Sequence, residues 1–291
     1  MTTSTKQRSV VVGVDNSPSS DAALEWAVRY ASSRRLPVTI VNGAGDPIYS
    51  IEVLASAEAR PKLHAAARRA TEQGLDVVKR LAPDLEAHVA TPLKDPREAL
   101  LDYSTGAAII VVGTHGRGPV RALLLGSVSA AVSTHASCPV AVVRPPDRDR
   151  DGDMPGPVVV GTDGGPSSAA AMEFAFDLAS TDGRSLRVVH SWFMYDAFTD
   201  PATYALPQQV AEDHERLLAE SLAGYTEKYP DVTVERRMPD GDPVRALVDM
   251  SEGAFAVVVG SRGRTGLSAL LGSVSRDVVE RAHCTVVVAK Q

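Results

Sequence analysis

Residues 10–27 read VVVGVDNSPSSDAALEWA, and residues 158–175 read VVVGTDGGPSSAAAMEFA. The two stretches match at 12 of 18 positions, with a constant offset of 148 residues. Each begins as a run of β-branched residues that ends in glycine, and each continues into a helix-like pattern. A second similar pair lies at residues 111–129 and 258–275. The chain is therefore predicted to be a duplication of one α/β domain.

The length agrees with two domains, because 291 residues allow two units that can each bury a full core. The stretch RPPDRDRDGDMPGP at residues 144–157 is charged and rich in proline and glycine, as linkers often are. We therefore expect a first domain over residues 1–146, a linker over 147–157 and a second domain over 158–291.

Short apolar runs alternate with amphipathic segments along both halves. This alternation predicts right-handed βαβ crossovers and a doubly wound, five-stranded parallel sheet in each domain. The first helix should begin at Pro18 with Ser17 as its N-cap, and Pro61 and Gly74 are two points where the second helix could break. The predicted strands are 10–14, 38–41, 85–90, 109–112, 140–143, 158–162, 186–190, 232–236, 257–259 and 286–289; the predicted helices are 19–35, 52–81, 96–104 and 126–134, and others that begin near 167, 208, 243 and 272.

The composition argues against two classes of partner. The formal net charge is −6, and no basic tract is present, so nucleic acid is not an expected partner. No apolar run approaches the roughly 20 residues of a membrane span, and the polar start MTTSTKQRS does not resemble a signal peptide. A cytoplasmic protein is expected. Charge is uneven: residues 1–147 carry 16 basic and 14 acidic residues, net +2, and the remainder carries 14 and 22, net −8.

The two cysteines, Cys138 and Cys284, occupy equivalent positions just before the last strand of each half. They could form a disulfide across the repeat or remain two buried thiols. A reducing cytosol favours the thiols.

An aspartate follows the first strand of each half, at Asp15 and Asp163. The carboxyl edge of a parallel sheet is where open α/β folds bind ligands. A carboxylate there could accept hydrogen bonds from ribose hydroxyls or meet a phosphate-bound metal ion. The alternative is that each aspartate only caps the helix that follows it.

A glycine loop follows the fourth strand of each half. In the first half the spacing is Gly113-x2-Gly116-x9-Gly126-Ser127, and the loop also contains His115 and Arg117. Glycines let the backbone approach an anion closely, and the N-terminus of the following helix adds partial positive charge. The repeated loop predicts a phosphate-binding site.

These residues resemble the ATP-binding members of the universal stress protein family, in a tandem two-domain form. That family carries G-x2-G-x9-G-[S/T] after the fourth strand and an aspartate at the end of the first. The first half matches it in full; the second matches with one residue fewer between the second and third glycines. The resemblance implies a Rossmann-like fold, similar to that of the adenine nucleotide alpha hydrolases, with ATP, probably with Mg²⁺, bound at the carboxyl edge and adenine held just after the second strand. The predicted binding residues are Asp15, Asn42, Gly43, Gly113, His115, Gly116, Arg117, Gly126, Ser127 and Val128, and in the second half Asp163, His190, Ser191, Gly260, Gly263, Arg264, Gly272, Ser273 and Val274. For His190, an ordinary satisfied histidine is the competing interpretation.

Three functions follow as hypotheses. The first is a nucleotide-binding stress-response regulator that acts through conformation or an unidentified protein partner. The second is a slow ATPase or nucleotidyl transferase; against it, the sequence has no G-x4-G-K-[ST] and no G-x-G-x-x-G after the first strand, and no zinc-type spacing. The third is a scaffold with vestigial sites. We predict no catalytic or metal-ligating residue.

Two further expectations concern the whole chain. The terminal strands at residues 140–143 and 286–289 should lie at sheet edges, and the resembled family pairs its domains there, so we expect an internal pseudo-twofold dimer, with a homodimer as an open alternative. Because its loop is shorter and its half is acidic, the second site should bind ATP more weakly than the first.

Overall fold

A computed structural model describes residues 8–45, 59–116, 125–145, 156–165, 168–192, 207–261 and 271–290, with side chains except at 59–60 and 207–211. Contacts divide the chain into two compact units, Met1–Arg150 and Asp151–Gln291. Each unit is an α/β domain in which helices alternate with strands.

The first domain has a five-stranded parallel sheet in the order β3-β2-β1-β4-β5. β1 lies between β2 and β4, so the strand order reverses at β1. In open α/β sheets the crevice at this reversal is where ligands bind. The strands are β1 Val10–Gly13, β2 Val38–Val41, β3 Ala87–Ala90, β4 Ile109–Gly113 and β5 Val140–Val143.

The helices of the first domain begin where the sequence supplies caps. Ser17 is the N-cap of the first helix, in a reciprocal capping box with Ser20, and Pro18 takes the first helical position. Asp95 is the N-cap of the third helix, where its side chain accepts from the Arg97 backbone N–H, and Pro96 follows it. The helices are α1 Pro18–Arg34, α2 Ala59–Leu81, α3 Pro96–Leu101 and α4 Ser127–His135.

The second domain repeats this arrangement with the order β10-β9-β6-β7-β8, all parallel. Here β6 lies between β7 and β9, so the reversal falls at the equivalent strand. The strands are β6 Val158–Gly161, β7 Leu186–Val189, β8 Val234–Arg237, β9 Ala256–Gly260 and β10 Thr285–Ala289; the helices are α5 Ala169–Thr181, α6 Pro207–Lys228, α7 Pro243–Ser251 and α8 Ser273–Arg281.

Central strands are buried on both faces, as their continuous valine and isoleucine runs predict. Val10, Val11 and Val12 of β1 are fully buried, and so are Ile109 and Ile110 of β4. The edge strands β3 and β8 are half exposed by contrast. The buried centre holds the carboxyl ends of β1 and β4 in place, and of β6 and β9 in the second domain.

The second helix is not interrupted at either of the two points where a break was possible, since α2 runs through both Pro61 and Gly74. Pro61 falls in the first turn, where a missing N–H costs no helix bond. A Cβ at Gly74 would lie 3.3 Å from Ile40 Cγ2, so glycine lets α2 pack closely on β2. Residues 52–58, which the prediction also placed in this helix, lie outside the described residues.

Other boundaries moved by a few residues. β1 ends at Gly13, β3 begins at Ala87 rather than 85, and β8 begins at Val234 rather than 232. Helix α5 begins at Ala169, and the predicted start at Ser167 is not among the described residues. These shifts leave the order of elements unchanged.

Cys138 and Cys284 are both buried, and neither takes part in a disulfide. β5 and β10 each lie at one edge of the five strands of their own domain. The pairing of the two domains through these strands stays a prediction.

Candidate functional site

The strand-end carboxylate and the glycine loop of the first domain meet at the carboxyl edge of the sheet. A Cβ atom added at Gly116 would lie 2.7 Å from Asp15 Oδ2. The Ser17 hydroxyl donates to the carbonyl of His115 at 3.3 Å, which ties the start of α1 to the same loop. Two segments about 100 residues apart in sequence thus form one surface.

Asp15 has a structural contact as well. Its Oδ1 accepts from the Ser17 backbone N–H at 3.0 Å, just before the first turn of α1. The N-cap itself is Ser17, so Asp15 does not cap the helix in the way the alternative interpretation required. Its carboxylate is partly exposed and faces the loop through Oδ2.

Neighbouring charge makes this edge acidic. Burial, and after it the Asp15 carboxylate, raises the pKa of Asp21 in the first turn of α1. A cation bound beside Asp15 would relieve that repulsion.

Gly113 is required by packing. A Cβ there would lie 2.6 Å from the backbone carbonyl carbon and oxygen of Ser19. The end of β4 therefore lies directly against the first turn of α1. This glycine holds the loop close to the site, and it is buried.

Gly126 closes the loop and begins α4. Its N–H donates to the carbonyl of Thr114 at 2.8 Å, and no side chain caps the helix that follows. Ser127 is exposed at the first helical position, and Val128 follows it half-buried. The first turn of a helix has N–H groups without intrahelical partners, so this terminus suits an anion.

Ser129 is a site residue that the sequence interpretation missed. Its hydroxyl donates to the Gly113 carbonyl at 2.6 Å, so it anchors α4 to the end of β4. Ser275 makes the same bond to Gly260 at 2.6 Å in the second domain. The signal was the repeated GSVS at residues 126–129 and 272–275.

The His115 ring is half-buried, and its Nε2 is a buried atom without a hydrogen-bond partner among the described residues. A buried polar atom without a hydrogen bond destabilises the fold unless a ligand or water supplies the missing partner. Arg117, the other polar candidate of this loop, lies outside the described residues.

Asn42 and Gly43 lie beside this site at the end of β2. The Asn42 side-chain amide donates to the Val14 carbonyl at 2.6 Å, next to Asp15, and its backbone N–H donates to Ala90. A Cβ at Gly43 would lie 2.6 Å from Pro96 Cα, so glycine lets the chain pass against the start of α3. Both residues therefore have clear packing roles.

In the second domain Asp163 adopts an equivalent turn. Its Oδ1 accepts from the Gly165 backbone N–H at 3.0 Å, and Gly164 has a left-handed φ of +74°. The loop there begins at Gly260 and ends at Gly272, whose N–H donates to Ser261 at 3.0 Å. Ser273 is exposed and Val274 half-buried, as in the first domain. Gly263 and Arg264 lie outside the described residues.

His190 takes the position of Asn42, because 42 plus the repeat offset of 148 is 190. The ring is buried; its Nδ1 lies 2.9 Å from the Thr162 carbonyl and its Nε2 lies 2.9 Å from His214 Nδ1. Its backbone N–H donates to Arg237. Both ring nitrogens of His190 therefore have hydrogen-bond partners within the protein, as the competing interpretation expected. Next to it, the Ser191 hydroxyl is buried without a partner in the described part of the chain.

The described residues contain no group of three or more His, Cys, Asp or Glu that could hold a metal ion. None of the described helices has the length and apolarity needed to cross a membrane.

Together, the duplicated fold and the glycine loop at each reversal point define a tandem α/β protein of the Rossmann-like class. The model of the Universal stress protein family matches residues 7–144 and again residues 154–290. The chain is 37% identical over 299 residues to universal stress protein Rv2005c of Mycobacterium tuberculosis, covering 98% of each. It is also 37% identical over 303 residues to a universal stress protein of Mycolicibacterium smegmatis, covering 100% of this chain and 99% of that protein. The crystal structure of a universal stress protein from Archaeoglobus fulgidus has the same fold, with a TM-score of 0.68, 20% identity, and 98% and 97% of the chains covered. The chain belongs to the universal stress protein family.

Proposed function

We propose that this protein is an ATP-binding regulator of the stress response, with nucleotide bound at the carboxyl edge of each sheet. It acts by changing conformation or by presenting its nucleotide-dependent surface to a protein partner. Family membership supports the general role, and the proposed ligand follows from the site of the first domain.

The close approach of the Gly116 backbone to the Asp15 carboxylate carries the proposal. With no side chain at Gly116, the loop backbone reaches the carboxylate, and a Cβ would come within 2.7 Å of Oδ2. One ligand could then contact both the carboxylate and the N–H groups of the loop. A nucleotide matches this pair, since its ribose hydroxyls donate to a carboxylate and its phosphates accept from N–H groups.

Neighbouring groups extend the same surface. The uncapped start of α4 at Ser127 and Val128 would receive phosphate oxygens, and the ligand would supply the partner that His115 Nε2 lacks among the described residues. Adenine would lie near Asn42 and Gly43, as in the resembled family. In the second domain adenine would lie near His190 and Ser191. The buried Ser191 hydroxyl, which has no partner among the described residues, supports this placement.

Mg²⁺ fits as a companion of the phosphates. It prefers oxygen ligands and is commonly held by one or two carboxylates together with substrate phosphates. Asp15 is such a carboxylate, in an edge made more acidic by Asp21. As an alternative to binding the ribose hydroxyls, Asp15 would meet an ion carried by the phosphates, and the ion would neutralise phosphate charge.

Calorimetric titration of ATP and Mg²⁺ into the Gly116→Val variant tests the site. Valine would displace the Asp15 carboxylate and block the loop, so affinity at the first site should fall at least tenfold, ~1.4 kcal/mol. Gly106→Val is the matched control, because a Cβ at Gly106 meets nothing within 4 Å. Unchanged affinity in a folded Gly116→Val protein would reject this site.

A regulator should turn ATP over slowly or not at all. Efficient phosphoryl transfer needs a cationic clamp and a positioned base, and the sequence has no Walker lysine. We expect hydrolysis far below ordinary enzyme rates of ~1–100 s⁻¹ in a phosphate-release assay. Rates in that range that disappear in Asp15→Asn would favour the enzyme hypothesis instead.

We also propose a cytoplasmic location. The net charge of −6 and the paucity of cysteine support a soluble protein of a reducing compartment. Fractionation of cells that express a tagged chain would test this.

A further inference from the structure

The second domain contains a pair of hydrogen-bonded histidines that joins helix α6 to the carboxyl edge of its sheet. His190 follows β7 and is only 3% exposed, and His214 lies on α6 and is half-buried. Their rings are linked by a 2.9 Å contact between His190 Nε2 and His214 Nδ1. On its other side, the His214 ring stacks on Trp192 with centroids 5.7 Å apart.

The protons of this pair can be assigned from its neighbours. A carbonyl oxygen only accepts, so the contact of His190 Nδ1 with the Thr162 carbonyl at 2.9 Å requires a proton on Nδ1. In neutral His190 the Nε2 atom is then bare and accepts from His214 Nδ1–H. One extra proton leaves the bond intact, because either ring can be the donor. Two extra protons place an N–H on both facing nitrogens, and the bond is lost.

The first domain makes the equivalent connections through side-chain amides and through a hydroxyl–imidazole contact that an added proton does not break. Asn42 stands where His190 does and donates to Val14, the counterpart of Thr162. Helix α2 is joined to the loop after β1 by an amide pair, Asn16 Nδ2 to Gln73 Oε1 at 2.8 Å. The Thr91 hydroxyl meets His64 of α2 at 3.4 Å, and this bond survives protonation because a hydroxyl can donate or accept.

We propose that the His190–His214 pair is a pH-sensitive link that ties the part of α6 around His214 to the sheet of the second domain at neutral pH and loosens it there in acid. Imidazole is the side chain whose charge ordinarily changes between about pH 5 and 8. The first domain lacks this link, so the two halves respond differently to acidification. His190 and His214 are positioning residues, because protonation of the pair would act on the turn after β6 only through other residues. His190 contacts the Thr162 carbonyl, and the Leu217 side chain of α6 lies beside Gly164.

Charged residues lie near the pair on α6 and at the edge of the sheet. On α6, Asp213 pairs with Arg216, and Glu212 and Glu215 are exposed nearby in sequence. From the sheet side the charged groups are Asp163 after β6, Glu235 and Arg237 of β8, which pair with each other, and Asp240 beside Trp192.

Hydrogen exchange followed by mass spectrometry of the full chain tests the link without any nucleotide. Protection of peptides from α6 is compared with that of α2 at pH 7.5 and pH 5, after correction for the intrinsic exchange rate. We expect α6 protection to fall at least tenfold relative to α2. His190→Asn copies the first domain and should abolish that difference, and His214→Gln, at a half-buried position, should do the same if the first variant fails to fold.

Equal changes in α6 and α2 of the native chain would overturn the proposal, as would a relative loss that persists in the His variants. Because Asp163 follows Thr162, a weaker second nucleotide site in acid is a further consequence that rests on the proposed function. If ATP does not bind at all, the exchange result still stands, so the two failures are distinguishable.

Discussion

At the scale of single residues, the glycines of one motif are there for different reasons. Gly113 makes room for the backbone of α1, Gly116 for the Asp15 carboxylate, and Gly126 for the carbonyl of Thr114, 3.0 Å from its would-be Cβ. The sequence could predict that glycine is needed at these places. It could not say why, because each reason is an atom distant in the chain.

Gly113→Ala should destabilise the first domain, whereas Gly116→Ala should not. The new methyl group at residue 113 would lie 2.6 Å from the Ser19 carbonyl, and overpacking of this kind costs typically 1–3 kcal/mol. Urea unfolding would measure the loss, with Gly106→Ala as the control in open space. Equal stability of the Gly113 and Gly106 variants would contradict a packing role.

At the scale of elements, helices were predictable where caps and apolar periodicity agree. Ser17 and Pro18 start α1 as the sequence indicates. Gly74 has an intrinsic cost in a helix, yet it lies inside α2, where the missing side chain lets the helix pack closely on Ile40. Tertiary contacts of this sort do not appear in local patterns.

The packing of α5 on α6 depends on an aromatic cluster that the sequence did not reveal. Phe176 is fully buried and stacks on Tyr225 and Tyr229 with centroids 5.2 and 5.5 Å apart. Nearby, Glu173 accepts from Tyr229 at 3.0 Å and pairs with Lys228. The hydrogen bond from Lys228 is the main cause that lowers the pKa of Glu173.

Phe176→Ala should therefore cost the second domain about 3–5 kcal/mol, the usual range for a buried phenylalanine. Chemical unfolding monitored by far-ultraviolet circular dichroism would measure it. Phe174→Ala is the matched control, because Phe174 lies on the same helix but is only half-buried. If both substitutions cost the same, Phe176 does not anchor the helix pair.

At the scale of the molecule, the duplication explains why the fold was predictable. Each feature could be checked against its counterpart, and the same bonds recur, such as those of Ser129 and Ser275. The differences between the halves were harder to predict. His214 contacts His190, which is 24 residues away in the sequence, and the local sequence pattern of α6 does not predict that contact.

The last prediction is that the two sites are unequal, with the first domain binding ATP more tightly. The anchors of the two loops match: Gly126 and Gly272 cap their helices with φ of −61° and −58°, and each N–H bonds back to the residue after the strand. The second loop has one residue fewer between these matched anchors, so we expect its N–H groups to point in different directions.

Charge favours the same order, because ATP is an anion and the second half is net −8 against +2 (14 − 22 and 16 − 14). Salt screens such charge over about 8 Å, so loop geometry has more weight. Arg262 and Arg264 act in the opposite direction, and Gly266 could absorb the deletion. Titration of ATP into Gly116→Val and into Gly263→Val, each with one intact site, measures the affinity of the remaining site in each variant. We expect Gly263→Val, which keeps the first site, to bind more tightly; equal affinities would mean that the shorter loop rearranges around the nucleotide without loss.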